Sequence, residues 1–117
     1  MGEHVNIIDW HIHPFRPDRW FEMWLPAAER MLGFGASRWS IVRSVDDPLH
    51  FRQISVWENP DDFERYWASD EVSAIRAEAM NLFNKPLVPS WHTFVAGEPR
   101  GEVPQEQISR AYSRGGA

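Results

Sequence analysis

The sequence predicts a single α+β domain in the order β-α-β-β-α-β, with a four-stranded antiparallel sheet covered by two helices on one face. Short runs in which apolar and polar residues alternate mark the strands. Longer segments that repeat apolar residues at three- and four-residue steps mark the helices. Proline, glycine and paired aspartates punctuate the boundaries.

The first strand reads from His4 to His13, rich in β-branched and aromatic residues and closed by Pro14 and Pro17. Period two puts Asn6, Ile8, Trp10 and Ile12 on one face, and Val5, Ile7, Asp9, His11 and His13 on the other. From Pro17 the period lengthens. Phe21, Trp24, Leu25, Ala28, Met31 and Leu32 form an apolar helical face, with Pro17 and Asp18 suited to the first turn and Gly33 or Gly35 to the stop. Pro26, inside this helix, is expected to kink it. Ser37 to Val45 and Leu49 to Glu58 flank Asp46-Asp47-Pro48 and read as a hairpin. Asn59-Pro60-Asp61-Asp62 is a helix start, and Phe63, Tyr66, Trp67, Val72, Ile75, Ala79 and Leu82 give its apolar face. Ser69-Asp70-Glu71 is a second capping signal, so a joint is expected there. Pro86 and Pro89 end the helix, and Ser90 to Ala96 is the last strand. The domain is placed at residues 1–96. Residues 97–117 turn polar and rich in Gly and Pro, and read as a C-terminal arm or disordered tail, with Val103, Ile108 and Tyr112 as its apolar anchors.

This order is the ferredoxin-like arrangement, and it leaves one sheet face open. The first strand is apolar on both sides, through Val5 and Ile7 and through Ile8, Trp10 and Ile12. The expected solution is a homodimer whose open faces meet, forming a dimeric α+β barrel.

Composition narrows the function. In 117 residues there is no cysteine, which excludes disulfides, thiolate nucleophiles and Cys-ligated metals. A net charge of −5 does not suit nucleic acid as a partner. Apolar runs are too short for a membrane span or a secretion signal, so a cytoplasmic protein is expected. Seven Trp in so short a chain exceed what a small core needs, and several rings converging between sheet and helices suit a flat aromatic ligand.

The stretch Asp46-Asp47-Pro48, Val56-Trp57-Glu58-Asn59, Phe63, Tyr66-Trp67, Ser69-Asp70 and Ala74-Ile75-Arg76 resembles the antibiotic-biosynthesis monooxygenase group of dimeric α+β barrels. The resemblance covers His4 to Val95. It implies a cofactor-independent monooxygenase acting on a small electron-rich aromatic, such as a polyketide-like phenol or anthrone. Ring-oxidising members of the group use a side-chain amide and a Trp on the third strand, with a Tyr and an Arg from the second helix. Trp57 matches the Trp and Gln53 stands at the amide position. Phe63 falls where the Tyr would lie, and Arg76 is close to the Arg position. Haem-degrading members are similar in using an Asn on strand one, matched by Asn6, and an aromatic matched by Tyr66. Their axial His position is taken by Arg76, which cannot ligate iron, so neither haem nor any other cofactor is expected.

The candidate catalytic residues are therefore His11, His13, Gln53 and Arg76, with Asn6, Trp10, Trp24, Trp57, Tyr66 and Trp67 as the substrate-binding set. His11 or His13 is the candidate base, with Asp9 to orient an imidazole. Gln53 is the hydrogen-bond partner of the forming oxyanion, and Trp57 and Trp67 stack the ring. His50 and His92 are expected on strands neighbouring the first, but no metal site is assigned. Two alternatives stay open: a non-oxidative cyclase or isomerase in the same pocket, and a dimer that binds a small ligand without transforming it.

Overall fold

The computed structural model describes residues 2–97, so the expected arm or tail lies outside the described residues apart from Gly97. The elements are β1 (His4–His11), α1 (Pro17–Glu29), α2 (Met31–Phe34), β2 (Ala36–Arg43), β3 (His50–Trp57), α3 (Pro60–Ala68), α4 (Asp70–Ala79) and β4 (Ser90–Thr93). The strands form one antiparallel sheet in the order β2-β3-β1-β4, the ferredoxin-like topology expected from the sequence.

Strand register divides the side chains between two faces. Pairing of Asn6 with Ser55, Ile8 with Gln53 and Trp10 with Phe51 builds a buried row under the helices. The alternate positions pair Val5 with Val56, Ile7 with Ile54, Asp9 with Arg52 and His11 with His50, and these occupy the open face. β1 ends at His11, two residues before the expected end. Ile12 continues as an isolated bridge to Phe83, where the chain after α4 takes over the edge.

The first helical segment differs from expectation in two ways. It breaks at Arg30 into α1 and α2, while α1 runs through Pro26. Glu22 and Pro26 are both exposed, so the carbonyl that the missing proline N–H leaves unpaired is on the water side. The buried face keeps Trp24, Ala28 and Met31 as expected but takes in Trp20 and Ala27 in place of Phe21 and Leu32. Trp20 is fully buried, with its ring 5.2 Å from Trp10 and 4.7 Å from Phe51, whereas Phe21 and Leu32 are 40% and 55% exposed. Trp20 and Phe21 are adjacent and both apolar, and the larger ring takes the interior.

The second helical segment is jointed at Ser69, as the capping chemistry indicates. Ser69 Oγ accepts from Val72 N–H at 3.3 Å and donates to Tyr66 O at 2.8 Å, closing α3 and opening α4. Asn59 Oδ1 accepts from Asp61 N–H at 2.9 Å, and Pro60 begins α3. At the end of α2, Gly35 takes φ +123°, a conformation that glycine adopts without steric cost, and leads into β2.

Candidate functional site

The helix side of the sheet holds a continuous assembly of rings. Trp10, near the end of β1, lies 4.7 Å from Trp24 and 5.4 Å from Phe83 between ring centroids. Trp24 meets Trp67 at 6.0 Å, and Trp67 stacks on Phe63 at 5.5 Å with an interplanar angle of 21°. Phe63 in turn meets Trp57 at 5.6 Å and Trp91 at 5.5 Å. Of the substrate-binding set named from the sequence, Trp10, Trp24, Trp57 and Tyr66 are fully buried in this assembly and pack against one another. Trp67 alone among those rings is half-buried.

Several polar groups in this layer are already committed. Trp24 Nε1–H donates to Gln53 Oε1 at 2.7 Å, and Gln53 Nε2 lies 3.8 Å from Met31 Sδ. The Gln53 amide thus ties β3 to α1 and α2. Trp57 Nε1–H donates to Ser55 Oγ at 2.8 Å. The Tyr66 hydroxyl donates to Ala27 O at 2.8 Å, and burial raises its pKa well above the ordinary phenol value against the opposing charge of Arg76.

Other groups are uncommitted. Asn6 is fully buried between its strand neighbours Ser55 and Trp91, and among the described residues neither its Oδ1 nor its Nδ2 has a partner. Trp10 Nε1, Trp20 Nε1 and Arg76 Nε are likewise buried without partners. Arg76 extends from α4 so that its guanidinium lies 4.3 Å from the Trp67 ring centroid, and its Nη2 donates to Trp67 O at 2.7 Å and Ser73 Oγ at 3.3 Å. Burial lowers its pKa, the nearby Tyr66 opposes this, and the group stays cationic.

Beside Arg76 is an open cavity of about 320 Å³ lined by Ser73, Arg76, Ala77, Met80, Phe83 and Leu87. Phe83 and Arg76 are also the groups that touch Trp10 and Trp67, so the cavity lies at the outer edge of the aromatic layer, and of the residues named from the sequence only Arg76 lines it. Its size falls at the lower end of the range for small-ligand sites, roughly 300–1,000 Å³. Phe83, Ser73 and Leu87 were not singled out in the sequence. Ser73 is in the first turn of α4 and Phe83 and Leu87 follow its end, and only the apolar spacing Phe83–Leu87 hinted at the latter two.

The histidines are elsewhere. His11 stacks on His50 with centroids 4.5 Å apart and planes at 13°, on the open face of the sheet. His50 Nε2 is 2.8 Å from Asp9 Oδ1, and the same oxygen accepts from Arg52 Nε at 2.9 Å. His92 shares this face on β4, opposite Val5, and hydrogen-bonds Ser90 Oγ at 2.9 Å. His13 lies beyond the strand, where its backbone N–H donates to Leu82 O at 2.9 Å. The structure therefore brings together Asn6, Trp10, Trp24, Gln53, Trp57, Tyr66, Trp67 and Arg76 on the helix side, and leaves His11 across the sheet from them. Among the described residues no three His, Asp or Glu side chains are grouped to hold a metal ion.

No protein-family model matches the chain, and no curated protein sequence matches it. Solved structures do. SnoaB, a cofactor-independent oxygenase from Streptomyces nogalater, superposes with a TM-score of 0.73 at 18% identity, over 86% of this chain and 100% of that one. A Nitrosomonas europaea protein provisionally described as an antibiotic biosynthesis monooxygenase gives 0.75 at 17% identity, over 86% and 97% of the two chains. A conserved protein from Methanosarcina mazei Go1 gives 0.72 at 12% identity, over 80% and 93%. The chain has the fold of the antibiotic biosynthesis monooxygenases.

Proposed function

We propose that this chain is a cofactor-independent monooxygenase that oxidises a small electron-rich aromatic, such as a phenol or anthrone, in the gap between sheet and helices. The observation that carries the reading is the set of polar atoms buried in the aromatic layer without partners among the described residues: both ends of the Asn6 amide, Trp10 Nε1 and Arg76 Nε. An unpaired buried polar group costs about 1–3 kcal/mol, a penalty that the polar edge of a bound ligand would relieve. The likeness to a cofactor-independent oxygenase supports the same reading.

In this mechanism the aromatic walls hold the ring while Arg76 and the Asn6 amide hydrogen-bond its oxygen. The Arg76 cation favours the ionised substrate, so the substrate's pKa falls and its proton passes to water at the open cavity, from which the peroxide anion later takes one back. His11 is on the far face of the sheet, and this mechanism gives the imidazoles no part in proton removal. Gln53, held by Trp24, positions helices rather than the oxyanion. The carbanion passes one electron to O₂, and recombination of the radical pair forms a C–O bond. Loss of water from the resulting peroxide leaves a carbonyl. One oxygen atom enters the product, the other leaves as water, and the substrate supplies all the electrons. Two copies joined through their open faces, in the cytoplasm, complete the proposal.

One observation favours a second reading. The cavity lining carries no carboxylate or imidazole, which suits a protein that holds an aromatic ligand without transforming it. Oxygen uptake with a simple anthrone, corrected for the reaction without protein, separates the two. The expected result is uptake matched to carbonyl product and reduced at least about tenfold in Arg76→Gln. Binding seen as a rise in Tm with no oxygen uptake would leave only the second reading.

A further inference from the structure

The open sheet face is not uniformly apolar. Beyond Ile7 and Ile54 it carries Asp9 opposite Arg52 and His11 opposite His50. One oxygen of Asp9 serves both His50 and Arg52, while Asp9 Oδ2 and the terminal guanidinium nitrogens of Arg52 have no partner among the described residues. A negative and a positive group side by side, each with unused valences, form a self-complementary pattern. A twofold rotation can lay Arg52 of one copy against Asp9 of the other.

We propose that the Asp9–Arg52–His50–His11 cluster is a contact between two copies of this chain, and that protonation of the stacked imidazoles releases them. The proposal rests on the homodimer reading and adds to it the chemistry of the seam. With both imidazoles neutral, Asp9 and Arg52 balance and the cluster can be buried. Protonation adds two positive charges on stacked rings 4.5 Å apart, and the twofold mate doubles them.

Asp9 on β1, His50 on β3, Asp47 in the β2–β3 turn and Lys85 after α4 all act on His11. Arg52 on β3 reaches the pair through Asp9, and Arg43 on β2 lines the same hollow as His50. Burial, then the charges of Lys85 and His50, hold the His11 pKa below the ordinary histidine value, against the pull of Asp9 and Asp47. Asp9 stays ionised: burial raises its pKa, but the hydrogen bonds and charges of Arg52 and His50 outweigh that. Crowding like charges at the seam opposes protonation there more than in a free copy, so proton uptake accompanies dissociation and acid favours the free copies. A hollow lined by Val42, Arg43, Ser44, His50 and Arg52 gives water access to the cluster.

The test is sedimentation velocity of the full chain at pH 7.5 and pH 5.5, with circular dichroism at both. The expected result is a dimer at pH 7.5 whose Kd rises about a hundredfold or more at pH 5.5 with the fold intact. His11→Gln, at a partly exposed position, should reduce that rise, and His11→Gln/His50→Gln should abolish it. A dimer of unchanged Kd at pH 5.5, a full pH response in the double variant, or loss of the fold itself at pH 5.5 would overturn the switch. A monomer at both pH values would instead overturn the homodimer reading beneath it.

Discussion

Gln53 and Trp24 are 29 positions apart in sequence and meet through one buried hydrogen bond of 2.7 Å. Both residues are fully buried, so no water replaces a lost partner. Gln53→Met keeps the length of the side chain and removes the acceptor, leaving the Trp24 N–H unpaired in the core. The cost of such an orphan is about 1–3 kcal/mol, which for a domain of this size lowers Tm by roughly 5–20 °C. Trp24→Phe leaves the Gln53 carbonyl unpaired and adds the cost of lost volume. The double variant removes both partners, so its loss should be smaller than the sum of the singles by at least about 1 kcal/mol. Urea unfolding followed by far-ultraviolet circular dichroism measures all four proteins. A Gln53→Met loss under about 0.5 kcal/mol, or singles that simply add, would refute the claim that this bond fastens the helices to the sheet. The same variant bears on function. If Gln53 only positions, folded Gln53→Met should oxidise an anthrone at close to the parent rate.

Asn59→Ala removes the acceptor for the Asp61 N–H and should cost about 1 kcal/mol in urea unfolding, with no change in ligand affinity. Tyr66→Phe should alter the alkaline limb of the stability profile. Because burial raises the folded-state pKa of Tyr66, its contribution is whole below the ordinary phenol pKa. That contribution is lost as pH rises above the ordinary value, where the unfolded chain ionises first. Urea midpoints at pH 8 and pH 11 should therefore fall less in the variant than in the parent.

How much of this was legible in the sequence depends on how local each signal is. The two faces of β1 could be read directly, because period two separates Asn6, Ile8 and Trp10 from Asp9 and His11. The joint at Ser69 was legible for the same reason: a cap is made within three residues. Where two neighbours are equally apolar, as with Trp20 and Phe21, periodicity pointed to Phe21, and packing against Trp10 and Phe51 put Trp20 inside instead. The candidate site was legible as a collection of residue types but not as an arrangement. Nothing local in the chain shows that Gln53 is held by Trp24 or that Asn6 lacks a partner among the described residues. Those follow from pairings between distant segments.

The alternation along β1 also decides which changes of length the chain can accept. The strand keeps Trp10 among rings and His11 beside another imidazole only because its pairing with β3 is fixed residue by residue. Inserting or deleting one residue between Val5 and His11 would turn part of the strand over. Asp9 and His11 would then be forced among indoles with no water or counter-charge, and Trp10 would be thrust outward. The Asp46–Leu49 turn is exposed at its tip and absorbs extra residues at little cost, since loop closure grows only slowly with length. Length variation among homologous chains should accordingly collect at the hairpin tip and spare the interior of β1.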